Sequence, residues 1–216
     1  MAVAYDNSIT KDDFGVTGLT TAGFTISGSN RAACLGLTTL ANTSAHTGSC
    51  SGVSANVIAS TNLLATGIEV VLLSVIAPVA GAGKTATVGW TTAASASVGV
   101  ITFTGVDQTT PANNGVTKSA AFASSISQAI TSTSGDMTTS MYAGGGSDGA
   151  ATSNQTKRTS DFGCLDTGGG AGTTTHTWSH AAEDMVFSGA NFVQVAAGGG
   201  TWGPLLGGQN NRLVQA

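Results

Sequence analysis

Charge is what this chain has least of. Seven Lys and Arg and eleven Asp and Glu make up 8% of its 216 residues, against about 25% in ordinary globular domains. The formal net charge is −4, and no basic stripe exists to neutralise phosphates, which excludes nucleic acid as a partner. Low charge here does not mean disorder, because 41% of the residues are hydrophobic and β-branched residues run through the whole chain. No apolar run reaches the 18 residues of a membrane span, so membrane insertion is not expected. Met1–Tyr5 is not followed by a basic segment and a long apolar run, so no secretory signal is visible. The expectation is synthesis in the cytoplasm, with release by lysis or through a system that reads another signal. Cysteine is also scarce. Cys34, Cys50 and Cys164 are an odd number at wide spacing, neither a disulfide framework nor a zinc pattern; they read as buried, inert thiols, or as one bridge and a free thiol.

Glycine, alanine, serine and threonine fill the space instead, with 31 glycines, and the apolar residues fall in short runs. The organising block is Ile68–Pro111. IEVVLLSVIA is too short for a membrane helix and meets Pro78, Gly81 and Gly83 at once, as a buried strand ending in a turn does. Val98, Val100, Thr102, Thr104 and Val106 then alternate with Gly99, Ile101, Phe103 and Gly105, a strand with both faces covered. The fold expected is all-β, a mostly antiparallel β-sandwich of jelly-roll-like form. One domain spans 1–197, and a glycine-rich C-terminal extension spans 198–216.

Along the chain, Val3–Tyr5 reads as a short first strand and Asp6–Asp13 as a polar loop. Ser27–Arg31 is a connection in which Asn30 can take the left-handed backbone conformation. AACLGLTTL places Ala33, Leu35, Leu37 and Thr39 on one face. Ala41–Gly52 reads as a loop holding His46, and Val53–Ser60 as a strand of period two. PANNG at Pro111–Gly115 carries a strong turn signal. Lys118–Ser134 fits a helix as well as a strand, since Phe122, Ile126 and Ile130 recur every four residues, but its serines and threonines favour a strand over Ile126–Thr133. Further strands are expected at Asp136–Gly144, Gln155–Phe162, Thr173–Ser179 and Met185–Ala196.

Motifs for chemistry are weak. AGAGKT at Ala80–Thr85 has Pro78 where a phosphate-binding loop needs glycine, and a β-like run follows it rather than a helix. His176 and His180, on a strand, share a face about 13 Å apart, too far for one metal. Glu183 and Asp184 are adjacent and do not point together from a strand, so they are not paired glycosidase acids. No serine sits in a GxSxG elbow, and no catalytic residue is assigned. No cofactor is expected; calcium has its only foothold in the loop aspartates Asp148, Asp161 and Asp166. Aromatic side chains are few, and Trp90, Phe187, Phe192, Tyr5 and Tyr142 read as core. Trp178 and Trp202 are the candidates for stacking on a glycan. Trp202, Leu205, Leu206, Leu213 and Val214 give the extension apolar anchors, suited to closing over its own domain or docking on a neighbour.

VGVITFTGVDQTTP at Val98–Pro111 resembles a recurrent segment of β-sandwich domains in phage structural proteins and large bacterial surface proteins. SGSNRAACLGLTTL, IEVVLLSVIAP, TSTSGDMTTSMYAGGG and THTWSHAAEDMVFSGANFVQVA fit the same order of elements, so the resemblance covers about residues 1–197. It implies a sandwich used in assembly or surface attachment and supplies no catalytic residues. The stand-alone domain looks more like a virion component than a giant-adhesin module. The function expected is therefore a non-enzymatic virion protein, a capsid decoration or tail exterior component that self-associates or binds capsid or tail proteins. The alternative is a carbohydrate-binding surface or adhesin module.

Overall fold

A computed structural model of the chain describes residues 1–145, 151–159, 163–170 and 172–196. The described residues are all-β, with antiparallel pairing throughout, as the alternation of apolar and small polar residues implies. Fourteen strands follow in order: β1 (Ala4–Thr20), β2 (Phe24–Ile26), β3 (Ala32–Leu40), β4 (Thr47–Cys50), β5 (Val53–Leu63), β6 (Ile68–Ile76), β7 (Gly81–Lys84), β8 (Ala86–Thr104), β9 (Ala112–Thr131), β10 (Met137–Gly144), β11 (Thr152–Ser153), β12 (Thr156–Lys157), β13 (Cys164–Gly169) and β14 (Thr173–Phe192).

The first sheet runs β1-β8-β3-β6-β5-β4, and β4 also pairs with β8. The five strands β8, β3, β6, β5 and β4 thus close on themselves, leaving no free edge among them. Ala33, Leu35 and Leu37 of β3, Val71, Leu73 and Val75 of β6, and Val98 and Val100 of β8 fill the interior. Phe24 and Ile26, held by the small β2–β7 pair, join the same cluster. The lysine of AGAGKT is part of that pair, with Lys84 opposite Phe24.

The outer faces of the same strands form a second core. Cys34, Val70, Leu72, Ile101 and Phe103 pack against Met141, Leu165, Val186 and Phe192 of the second sheet, so β3, β6 and β8 are covered on both sides. Gly36 and Gly99 lie opposite each other in register and make the close approach possible. A Cβ on Gly36 would overlap Met141 Sδ, and one on Gly99 would stand 2.7 Å from Leu165 Cδ1.

The second sheet is ordered β11-β14-β10-β13-β12, with β9 along the other edge of β14. β9 and β14 pair from Ala112↔Phe192 to Thr131↔Thr173, but the register breaks around Phe122 and His180–Ala182. There the ribbon folds over on itself. Asn114 Nδ2 donates to Thr131 O at 2.9 Å and Lys118 Nζ to Ser127 O at 3.0 Å, contacts only a doubled-back β9 can make. Ile126, Ile130, Tyr142, Trp178, Met185 and Phe187 fill the fold, giving the domain a third layer.

Several local expectations change. The loop read at Asp6–Asp13 is part of β1, which pairs with β8 from Ala4↔Thr104 to Thr20↔Thr87. The turn at PANNG is a bulge. Pro111 precedes β9, and Asn114 and Gly115 together face Ala190, with Asn114 at φ 51°. Asn-Gly accommodates positive φ in a bulge as readily as in a turn. Asn30 does take φ 50°. Ile126 and Ile130 both turn inward from a strand, because a spacing of four keeps one face in a strand as well as in a helix.

The segment FTGVDQTTP binds the two sheets at one end of the molecule. Gly105 has φ +73°, and the Ala2 carbonyl leaves no room for a Cβ on it. Val106 N donates to Asn30 O, Asp107 N to Val193 O, and Gln108 Nε2 to Arg31 O. The Asp107 carboxylate accepts Thr109 N at 2.7 Å and Thr110 N at 2.8 Å, which holds its pKa below the usual carboxylate range. Motif and turn are explained by the join they make.

Candidate functional site

Among the described residues, two of the places that gather reactive side chains differ sharply in access. The first is sealed. β10 directs Thr138, Ser140 and Tyr142 away from the inter-sheet core toward His176 and Trp178 of the folded ribbon. His176 Nδ1 lies 2.8 Å from Asp166 Oδ1 and its Nε2 lies 2.8 Å from Thr138 Oγ1. This is the order of a hydroxyl, imidazole and carboxylate relay. Thr138, Asp166 and His176 are each 0% exposed, so no substrate reaches them. Thr138 Oγ1 also donates to Gly168 O, so both ring nitrogens of His176 are engaged inside the fold. Asp166 also accepts Ser140 N at 3.0 Å and Ser140 Oγ at 2.6 Å on Oδ1, and Ser153 Oγ on Oδ2. The cluster ties β10, β11, β13 and β14 together from inside.

This arrangement corrects two expectations. Trp178 is fully buried, stacked on Tyr142 with centroids 5.5 Å apart, and donates Nε1 to Ser140 Oγ at 2.9 Å; it offers no face to a glycan. Asp166 is no loop ligand for calcium, since both its oxygens are engaged inside the fold. Asp148 and Asp161 lie outside the described residues, and among the described residues no three His, Cys, Asp or Glu side chains are grouped to hold a metal.

The second place is open. At the corner of the β9–β14 ribbon, His180, Ala181 and Ala182 stand against the single residue Ser124. One step on, Phe122 takes φ 51° with its ring 81% exposed, an uncommon conformation for a large side chain. Asp184 holds it there, its Oδ1 accepting Phe122 N at 2.9 Å. Tyr142 OH donates to Glu183 Oε1. His180 Nδ1 lies 2.7 Å from the same oxygen, ion-pair distance, though off the line of a hydrogen bond. Phe122, His180–Ala182, Glu183 and Asp184, with Thr66 and Gly145, line a shallow depression of about 440 Å³. Thr66 comes from the turn between β5 and β6, whose Leu64 is 73% exposed. Two carboxylates against one imidazole make the depression acidic, and Phe122, Ala181 and Ala182 give its lining an apolar part.

His176 and His180 thus serve different places, separated by the corner. Glu183 and Asp184 do not converge on one point, as expected of neighbours on a strand, although both border the depression. Phe122 was the residue sequence reasoning missed, since its spacing with Ile126 and Ile130 marks it as core. Among the described residues Phe14, 73% exposed, is a second exposed aromatic; it sits in β1, directly after the stretch that reads as a loop. Trp202, Leu205, Leu206, Leu213 and Val214 lie outside the described residues. Cys34 and Cys50 are buried in different cores and are free thiols.

Comparison with family models, with curated proteins and with solved structures finds no match to this chain.

Proposed function

We propose that this chain is a non-enzymatic structural subunit that works in many copies, as a capsid decoration or tail exterior component of a virion. The observation that supports it best is the open acidic corner with its partly apolar lining. Phe122 is the most exposed of the large hydrophobic side chains among the described residues, on a surface with few charges. β9 contributes twenty residues of which Lys118 alone is charged. Such a skin packs against neighbours without desolvating many charges. The reactive groups in the sealed cluster are used to hold strands together, which suits a scaffold. Carbohydrate binding has less support, because Trp178 is lost to it as a platform.

The test is quantitative mass spectrometry of purified particles from the source. The chain is expected there in a fixed, repeated stoichiometry to the major shell or tail protein. Its absence from the particles would overturn the virion assignment.

A further inference from the structure

The acidic corner has a ligand of matching chemistry in the same sequence. Residues 197–216 carry Trp202, Leu205, Leu206, Leu213 and Val214, and Arg212 is their only charged side chain. The corner presents Glu183, Asp184 and His180 beside the exposed Phe122. An arginine followed by leucine and valine meets two carboxylates beside an exposed phenylalanine, a pairing favourable in both charge and apolar contact.

The place where the body releases this segment is equally informative. Val195 N donates to Gly105 O, and Gln194 bridges to Val106, so the chain leaves at the end tied by FTGVDQTTP. Along β10 the register runs from Met137↔Phe192 at that end to Gly144↔Met185 beside the corner. Exit and corner are therefore about 23 Å apart, at opposite ends of the sheet. The twenty residues from 197 to 216 span at most about 70 Å when extended, ample to reach a second molecule stacked end to end.

We propose that residues 197–216 of one copy dock into the corner formed by Phe122, His180, Glu183 and Asp184 of the next. This rests on the assembly reading above and names its contact. The interface is head-to-tail, so it propagates into rings or fibres rather than stopping at a symmetric dimer.

Two single variants of the full chain test it. Phe122→Gly removes the ring at a backbone conformation that glycine accepts freely, and Arg212→Glu reverses the only charge of the arm. Multi-angle light scattering should show wild-type multimers, with each variant weakened in self-association about tenfold or more. Thermal unfolding midpoints no lower than wild type would confirm that both remain folded. Mixing the two should restore a two-chain species, since the Phe122→Gly arm is intact and the Arg212→Glu corner is intact. Variants that assemble like wild type, or a mixture that forms no two-chain species, would overturn the docking while leaving self-assembly standing. A wild type that stays monomeric in solution would remove this contact and count against the self-assembly on which it rests.

Discussion

The sealed cluster at Asp166 allows the sharpest stability prediction. Asp166→Ala removes a fully buried carboxylate that accepts from Ser140 N, Ser140 Oγ, Ser153 Oγ and His176 Nδ1. It strands an imidazole that is itself 0% exposed and leaves three other donors without an acceptor. Removing one partner of a buried pair costs about 3–5 kcal/mol, a large share of the roughly 5–15 kcal/mol that holds an ordinary domain together. The double variant Asp166→Leu with His176→Phe removes both partners together, and apolar replacement of a whole buried pair is often close to neutral. The double variant should therefore lose clearly less than the sum of its parts, by about 1–3 kcal/mol of coupling. Equilibrium urea unfolding reads this as a fall in midpoint at unchanged slope. Asp166→Asn, which keeps the shape and one acceptor, should fall between wild type and Asp166→Ala. A loss of under about 1 kcal/mol for Asp166→Ala, or strict additivity in the double variant, would refute the buried pair as the tie between these strands.

Gly99→Val should cost about 1–3 kcal/mol by overpacking, because its Cβ alone would stand 2.7 Å from Leu165 Cδ1; denaturant unfolding measures it, and a neutral result would contradict the close approach of the two sheets. Glu69 gives a pH dependence. Burial pushes its pKa up, but hydrogen bonds from His46 and Thr43 and the charge of His46 outweigh this and leave it below the ordinary value. A lowered folded pKa contributes stability that is present above the unfolded value, near pH 4.5, and is lost as pH falls through the folded value. Thermal midpoints should therefore drop below about pH 4.5, and Glu69→Gln should flatten that part of the profile. Cys34 and Cys50 should resist thiol reagents in the folded protein, since burial raises both, Cys50 to about 11; rapid native labelling of either would show that its core opens.

The central strands were legible because their signal is local. Alternation in AACLGLTTL and VGVITFT places one set of residues in the closed first sheet and the other against the second, and burial of both faces follows from having apolar or small residues on each. Closure was not legible. It depends on Thr47–Cys50, four residues with no apolar pattern, pairing with Thr87–Gly89 and Ala86 of β8, and nothing within that stretch announces a partner forty residues away. The folded ribbon was hidden for the same reason. A bend in β9 at Phe122 needs the extra residues His180–Ala182 on β14, a match between two distant segments that neither shows alone. Trp178 is buried although its neighbours are polar. Those neighbours, His176 and the facing Ser140 and Asp166, are polar inside the domain, where hydrogen bonds satisfy them. The corner became visible only when Phe122, an apolar residue with a core-like spacing, proved to stand outside.

Sedimentation velocity of the unmodified full chain over a wide concentration range tests the proposed role most directly. Self-assembly through the corner predicts discrete species growing beyond the dimer as concentration rises, and their retreat as salt screens Arg212 from Glu183 and Asp184. A single monomeric boundary at every concentration, insensitive to salt, would contradict it.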